Sequence, residues 1–428
     1  MVSPVSDLEI KETFWSINPS KAPGPDGYNG GFFRKAWSGQ LLTRANSTII
    51  ALVPKILNPS KVGDFRPISC CNTIYKCISK ILAKRLQSIL SLLIDPVQSS
   101  FVKGRRIADN IFLTQELMRG YHKSSPSPRC AMKADIMKAY DNVRWEFLWD
   151  VLSAMNFHPT MIKWLQACVT TANYSLCING EVTGYIKGRK DDHMIFCKGE
   201  RPFVKLIQVA LIEFEALSGL SLSPGKCSIF FSGVSVGIKE TIMQELGFQE
   251  GFLPVRYLGV PLLSTRLKAI DCRRLVDSIT SKTKSWTNRD LTFAGSVQLI
   301  KNILFLMQTY WSSLFILPKK VIKEVESILR AFLWSVPDLK RTGAKVAWEH
   351  LYAPKDEGGL GFKSLEVWNK VAVAKHIWFL ISGGEQSMWC QWVKSYLLKG
   401  RNFWRLKMPS NPSWVWRKLV NLRILVQL

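Results

Sequence analysis

Acidic residues are scarce in this chain. Its 428 residues hold 32 Asp plus Glu against 58 Lys plus Arg, a formal net charge of +26. A globular protein so basic meets phosphate backbones, where neutralising charge releases counterions; an anionic membrane surface is the other partner such a charge suits. A long charge-free apolar run is also lacking. The most apolar stretch, 297–317, is interrupted by Lys301, Asn302, Gln308 and two serines, which predicts an amphipathic or core helix and no membrane span. The first eighteen residues carry Asp7, Glu9, Lys11 and Glu12 and no apolar stretch of signal-peptide length, so a nuclear or cytoplasmic, non-secreted chain is expected. The ten cysteines include no Cys-x-x-Cys pair. That speaks against a zinc site closed within the chain and predicts free thiols. With 47% hydrophobic residues, the chain has ample material for two or three packed domains and is no disordered tail.

Against that scarcity, two acidic clusters stand out: Asp135-Ile-Met-Lys-Ala-Tyr-Asp141 and Asp191-Asp192, with 55 residues between Asp135 and Asp191. Paired carboxylates at the ends of adjacent strands can hold two divalent cations about 4 Å apart, the arrangement that activates a 3′-hydroxyl and stabilises a leaving pyrophosphate. An Asp-Asp pair alone is weak evidence, because such pairs are common in turns and caps. Asp-x-x-Lys-Ala-Tyr-Asp behind a strand is far more specific.

Patterning places these clusters. Residues 18–27 are a run of turn formers, 47–53 a strand ended by Pro54, and 58–64 the loop that follows, so a hairpin-like unit is expected. From 72 to 94, Ile74, Ile78, Ile81, Leu82, Leu86, Ile89 and Leu90 fall at helical spacing, which predicts a core-facing stripe. Lys76, Lys80 and Lys84 line another face, either solvated or tracking phosphate. Residues 129–136 read as a strand running into the first cluster, and 143–155 and 160–169 as helices. Tyr174–Tyr185 has a hairpin signature with Asn179-Gly180 at its turn; 188–197 reads as a turn bearing the two aspartates and then a short apolar strand, followed by a helix over 202–218. The order is that of an α+β palm. Beyond about residue 250 the pattern turns helical, over 276–286, 296–310 and 321–333, and eleven of the sixteen tryptophans occur from Trp286 onward. Interleaved Trp, Arg and Lys there suit either a groove for nucleic acid or a tryptophan-filled core.

Joined to Phe65-Arg-Pro-Ile-Ser69, Pro23-Gly-Pro-Asp-Gly27 and Ser100-Phe-Val-Lys-Gly-Arg-Arg106, the first cluster resembles the reverse transcriptase of LINE-type, non-LTR retrotransposons in the form abundant in plant genomes. Leu220–Lys226, Tyr257-Leu-Gly-Val-Pro-Leu262 and Leu291–Lys301 are similar to that family's segments from palm to thumb. The resemblance implies a right-hand polymerase fold: fingers over 1–130, a palm remnant over 131–235 (the reverse transcriptase domain about 47–235), a thumb-like helical region over 236–320 and a Trp-rich helical region over 321–428. It implies that Asp135, Asp191 and Asp192 bind two Mg2+ ions and are catalytic, that Arg66 and Lys55 meet the triphosphate, and that Tyr140 gates the nucleotide sugar. Lys226 is either a proton donor to pyrophosphate or a basic turn residue, and Asp141 either a helix cap or a further metal ligand. The implied partners are an RNA template, a DNA primer or target and deoxynucleoside triphosphates, with no membrane and no inferable protein partner.

The sequence also departs from that family. Its members carry a Gly-Leu-Arg-Gln-Gly-Asp-Pro-Leu-Ser-Pro segment and a long helix between the hairpin and the acidic pair, whereas here Gly188-Arg189-Lys190 leads straight into Asp191. A second gap is expected near residue 38, and the expectation is also of a chain without the family's endonuclease domain or Cys/His-rich tail. The expectation is therefore a degenerate copy with surviving carboxylates and lost synthesis. The alternative is a non-catalytic nucleic-acid-binding or scaffold remnant. A separation of about 4 to 6 Å between Asp135 and the aspartate pair would make a metal site credible.

Overall fold

The structure is a computed structural model describing residues 2–20, 27–35, 47–54, 60, 65–99, 102–123, 127–136, 142–170, 173–178, 181–182, 191–287, 291–334, 346–384, 387–409 and 412–426. The fold class is α+β. The chain divides into two compact units, one of Met1–Lys103, Met132–Ile229 and Glu240–Gln249, the other of Gly104–Ala131, Phe230–Lys239 and Glu250–Leu428.

In the first unit, Ser6 caps the helix Asp7–Trp15 through its Oγ, which accepts from Glu9 N at 3.2 Å. That helix lies on the 21-residue helix Thr73–Leu93, with Phe14 and Ile17 packed on Cys77 and Ile81. A second face of the long helix packs Leu82 on Phe157, Met161 and Ile162, with Leu86 and Ile89 beside them. Ile78, one turn before Leu82, remains exposed. The lysine stripe serves the N-terminal helix: Lys80 Nζ donates to Ser16 O at 2.9 Å and Lys84 Nζ to Thr13 Oγ1 at 3.4 Å. Cations at a helix C-terminus satisfy carbonyls that have no intrahelical partner. Arg85 adds a two-pronged pair with Glu9, Nε to Oε1 at 3.0 Å and Nη2 to Oε2 at 2.7 Å.

Among the described residues the chain forms two four-stranded sheets. Strand β1 (Ser47–Pro54) pairs antiparallel with β2 (Phe65–Cys71), from Thr48↔Cys71 to Pro54↔Phe65. It also pairs in parallel with β4 (Asn173–Ile178), which turns back into β5 (Glu181–Val182) with Ile178 opposite Glu181. Two residues lie between those partners, the spacing of an Asn-Gly hairpin; Asn179 and Gly180 themselves fall outside the described residues. The other sheet has the order β6-β3-β7-β8, with β3 at Arg129–Ile136, β6 at Asp191–Lys198, β7 at Ser228–Ser232 and β8 at Gln249–Glu250.

The second unit is mainly helical. Its two-stranded ribbon, β9 (Val255–Tyr257) and β10 (Val260–Leu262), is the Tyr257–Leu262 motif folded on itself. Leu258 and Gly259 both have positive φ, 47° and 90°, as a two-residue hairpin turn requires, and Tyr310 Oη donates to Leu258 O at 2.7 Å. The apolar 297–317 stretch is a core helix: Phe293–Leu299 continues through a π-helical segment, Ile300–Leu304, into Phe305–Leu314. Buried Asn369 latches its end, with Nδ2 donating to Ser312 O and Phe315 O and Oδ1 accepting from Leu317 N. His376 Nε2 lies 2.7 Å from Ser313 O, and burial lowers the pKa of that ring to about 4. Trp348, Trp389 and Trp416 are core residues, as one of the two readings expected, whereas Trp368 and Trp378 are exposed. Among the described residues, no helix is long and apolar enough to cross a membrane.

Candidate active site

Asp135 occupies the penultimate position of β3 and is only 3% exposed. Its backbone is fixed on both sides. The amide donates to Cys227 Sγ at 3.4 Å, and the carbonyl accepts from Ser223 N at 2.8 Å. Both partners come from the segment that follows Leu220, which also forms an antiparallel bridge, Leu222 with Ile136. The Leu220–Lys226 motif therefore braces the end of β3. Cys227 is itself buried, and burial raises the pKa of its thiol. Lys226 closes a 3-10 turn, Pro224–Lys226, with its own amide donating to Ser223 O at 2.9 Å.

The chain after the first cluster is anchored just as firmly. Arg144 N donates to Ser218 O at 2.8 Å and Arg144 Nη1 to Ala216 O at 2.7 Å, at the C-terminal end of the helix Arg201–Ser218. Gly219 makes this approach possible. It has φ +74°, and a Cβ there would lie 2.8 Å from Asn142 O, a contact no side chain tolerates. Tyr140 and Asp141, in the stretch between β3 and this anchor, lie outside the described residues.

Strand β6 is hydrogen-bonded to β3, and Asp191 and Asp192 are its first two residues. The pair was expected in a turn before a strand; the structure has the strand begin with the aspartates themselves. Their side chains lie outside the described residues, as does the separation from Asp135 expected to decide the metal site. Among the described residues, no cluster of three His, Cys, Asp or Glu could hold a metal ion. Arg66 is the second residue of β2, opposite Val53 of β1, with its side chain outside the described residues, as is all of Lys55. Sequence reasoning had no means of finding Ser223 and Cys227 as the braces of Asp135, because Ser223 acts through its backbone amide and the Cys227 thiol meets a strand some ninety residues earlier; the Leu220–Lys226 motif was the one available pointer.

Two features of this region bear on its completeness. Strand β6 is the outer strand of its sheet, with β3 as its neighbour among the described residues. The helix that follows, Arg201–Ser218, buries Val204 and Ser218 and leaves Phe203, Leu206, Val209, Ile212, Phe214 and Leu217 exposed, Leu206 at 69% and Ile212 at 61%. Phe214 still meets the Phe147 ring edge-on, centroids 6.3 Å apart, but so many exposed apolar side chains on one helix are of the kind ordinarily buried or occupied by a partner.

Comparison with known proteins bears on the same residues. The sequence profile of the family described as reverse transcriptase (RNA-dependent DNA polymerase) matches residues 56–189, ending two positions before Asp191. The chain is 28% identical over 197 residues, 42% of its length, to an uncharacterized 149 kDa protein of transposon TX1 from Xenopus laevis. Over 177 residues, 38% of its length, it is 28% identical to the retrovirus-related Pol polyprotein of the type-2 retrotransposable element R2DM from Drosophila melanogaster. It is 30% identical over 121 residues to an uncharacterized mitochondrial protein of Arabidopsis thaliana and covers 78% of that protein. It spans 15% of the TX1 protein and 16% of the R2DM polyprotein.

Proposed function

We propose a function for a chain that belongs to the reverse transcriptases of non-LTR retrotransposons. It is the RNA-directed DNA polymerase part of such a protein, built to extend a DNA primer on an RNA template, in a copy that has lost synthesis. The observation that carries the site is the pairing of β3 with β6, which sets the strand of buried Asp135 beside the strand that opens with Asp191 and Asp192. Three carboxylates are the hard oxygen donors that Mg2+ prefers, so Asp135, Asp191 and Asp192 are the residues that would hold the ions. Bound there, Mg2+ would supply charge neutralisation for a leaving pyrophosphate and a more acidic primer hydroxyl.

The other assignments follow the chemistry of nucleotidyl transfer, which asks the protein mainly for positioning and positive charge. Arg66 offers a guanidinium fork for phosphate oxygens, with Lys55 as the weaker candidate for the same role. Tyr140 stands five positions beyond Asp135, where an aromatic ring would crowd a 2′-hydroxyl. The regions follow the same plan: fingers over 1–130, palm remnant over 131–235, thumb-like helices over 236–320 and a Trp-rich region to the end.

Loss of synthesis is supported by three features. Gly188-Arg189-Lys190 leads directly into Asp191, β6 is an outer strand among the described residues, and the helix after it exposes several large apolar side chains. A palm missing the strand that enters the acidic pair and a central helix would leave these same surfaces open, and it would lack the elements that align template and incoming nucleotide. What survives is binding to nucleic acid. The test combines two assays of the full chain: salt-dependent binding of an RNA–DNA hybrid, expected to be retained, and magnesium-dependent primer extension, expected to be no greater than that of Asp135→Asn. Failure to bind the hybrid at low salt would contradict the reading.

A further inference from the structure

The second unit contains a cavity of about 660 Å³, within the size range of small-ligand pockets and roomy enough for one nucleotide. Its walls come from distant parts of the chain: the turn after the helix Ile107–Leu117, residues 264–266, Trp392, and the start of the helix Trp414–Leu422. Arg119, Lys123, Arg129, Arg266 and Arg417 line it, and Glu116 is the one acid among the described lining residues. Glu116 is buried and accepts a hydrogen bond from the Ser413 hydroxyl, and burial raises its pKa to about 7. At neutral pH it therefore carries about half a charge, so five cations face less than one anion. The crowding reaches Lys418, whose pKa is lowered by burial and then by Arg266 and Arg417.

Two tryptophans also line the cavity. Trp414 is half-buried, and its indole Nε1 is buried without a hydrogen-bond partner. Trp392 is half-buried with its ring stacked on Tyr396, centroids 5.5 Å apart. Flat rings beside guanidinium groups hold single-stranded nucleic acid by base stacking and phosphate contact, whatever the sequence.

We propose that this pocket is a second nucleic-acid site, taking one unpaired nucleotide of a single strand with its base on Trp414 or Trp392 and its phosphates on Arg266 and Arg417. The cavity suits an extruded or unpaired base, since a duplex is too wide to enter it. The site does not depend on the polymerase reading, because a chain unable to extend a primer would still bind here.

The test uses the full chain and an oligothymidylate of about ten nucleotides, within the span of known single-strand sites. A version carrying 5-iodouracil is photocrosslinked and the modified peptides are mapped, while fluorescence anisotropy reports affinity for the unmodified strand. Expected are crosslinks in the peptides containing Trp392 or Trp414, and at least a tenfold loss of affinity in Arg266→Ala/Arg417→Ala. The salt dependence should become shallower by about 1.4 in log–log slope, for two phosphate contacts at about 0.7 each. Both arginines are exposed, so this variant should fold, and a circular dichroism melt matching the parent checks that it does; Trp414→Phe, which keeps a ring, should lose affinity several-fold. Free thymidine monophosphate should compete where equimolar inorganic phosphate does not. Crosslinks confined to other peptides, unchanged affinity in the folded arginine variant, or equal competition by inorganic phosphate would each overturn the proposal.

Discussion

Two buried carboxylates, Asp135 and Glu116, are held in different ways, and the difference sets what each can do. Asp135 is fixed through its backbone by Cys227 and Ser223. Glu116 is fixed through its side chain by Ser413, the residue that also caps the helix Trp414–Leu422 by accepting from Trp416 N at 2.9 Å. Because Glu116 titrates near 7 in the folded chain against an ordinary 4.5, the folded state binds more protons between those values. Its contribution is then fully present below about pH 4.5 and is lost as pH rises through 7, a change on the order of 3 kcal/mol at about 1.36 kcal/mol per pH unit. Urea unfolding of the second unit at pH 5 and pH 8 should show that loss, and Glu116→Gln should flatten it while keeping an acceptor for Ser413. At this scale the sequence singled out Asp135 by its motif at the end of a strand, where the structure has it, and was silent where burial creates the chemistry, as at Glu116. Nothing in its neighbours Gln115 and Leu117 announces a carboxyl group held near neutrality.

Among the elements, the helix Arg201–Ser218 says most about the state of this molecule. Its buried contacts are few, with Val204 fully buried while Leu206 and Ile212 stand in solvent. Surface positions tolerate substitution within about 0.5 kcal/mol, whereas truncating a buried aliphatic side chain costs about 1 to 3 kcal/mol. Leu206→Ser/Ile212→Ser should therefore leave the melting temperature nearly unchanged and raise solubility, and Val204→Ala should lower stability. A loss of several kcal/mol in the double variant would mean that this face is covered after all. Hairpins were legible, since β1–β2 and β4–β5 join neighbouring segments across turn formers. The parallel pairing of β1 with β4 was not, because it joins residues 47–51 to 173–177, and local pattern carries no information about partners so distant. The lysines of the helix Thr73–Leu93 were ambiguous for the same reason. Lys80 and Lys84 look like a solvated or phosphate-tracking stripe until the N-terminal helix is seen lying against them.

For the molecule as a whole, a net charge of +26 sets the terms of any partnership. Hybrid binding should weaken steeply with salt, with log affinity falling by about 0.7 to 0.9 per log unit of salt for each phosphate contacted. A slope near zero in a titration from 50 to 200 mM salt, about the range over which such losses are seen, would remove nucleic acid as the main partner. The class of fold and the family were legible because acidic clusters, turn motifs and basic charge all pointed one way. The interleaving of the two units was not, since Gly104–Ala131 and Phe230–Lys239 leave the unit that holds their sequence neighbours, and no compositional break marks those crossings. The central claim is that the acidic residues of a reverse transcriptase persist here without their synthesis. Its most direct test is extension of a labelled DNA primer on an RNA template by purified chain with magnesium and all four deoxynucleoside triphosphates, run beside Asp135→Asn. The account predicts product no greater than that of the variant; synthesis that requires Asp135 would contradict it.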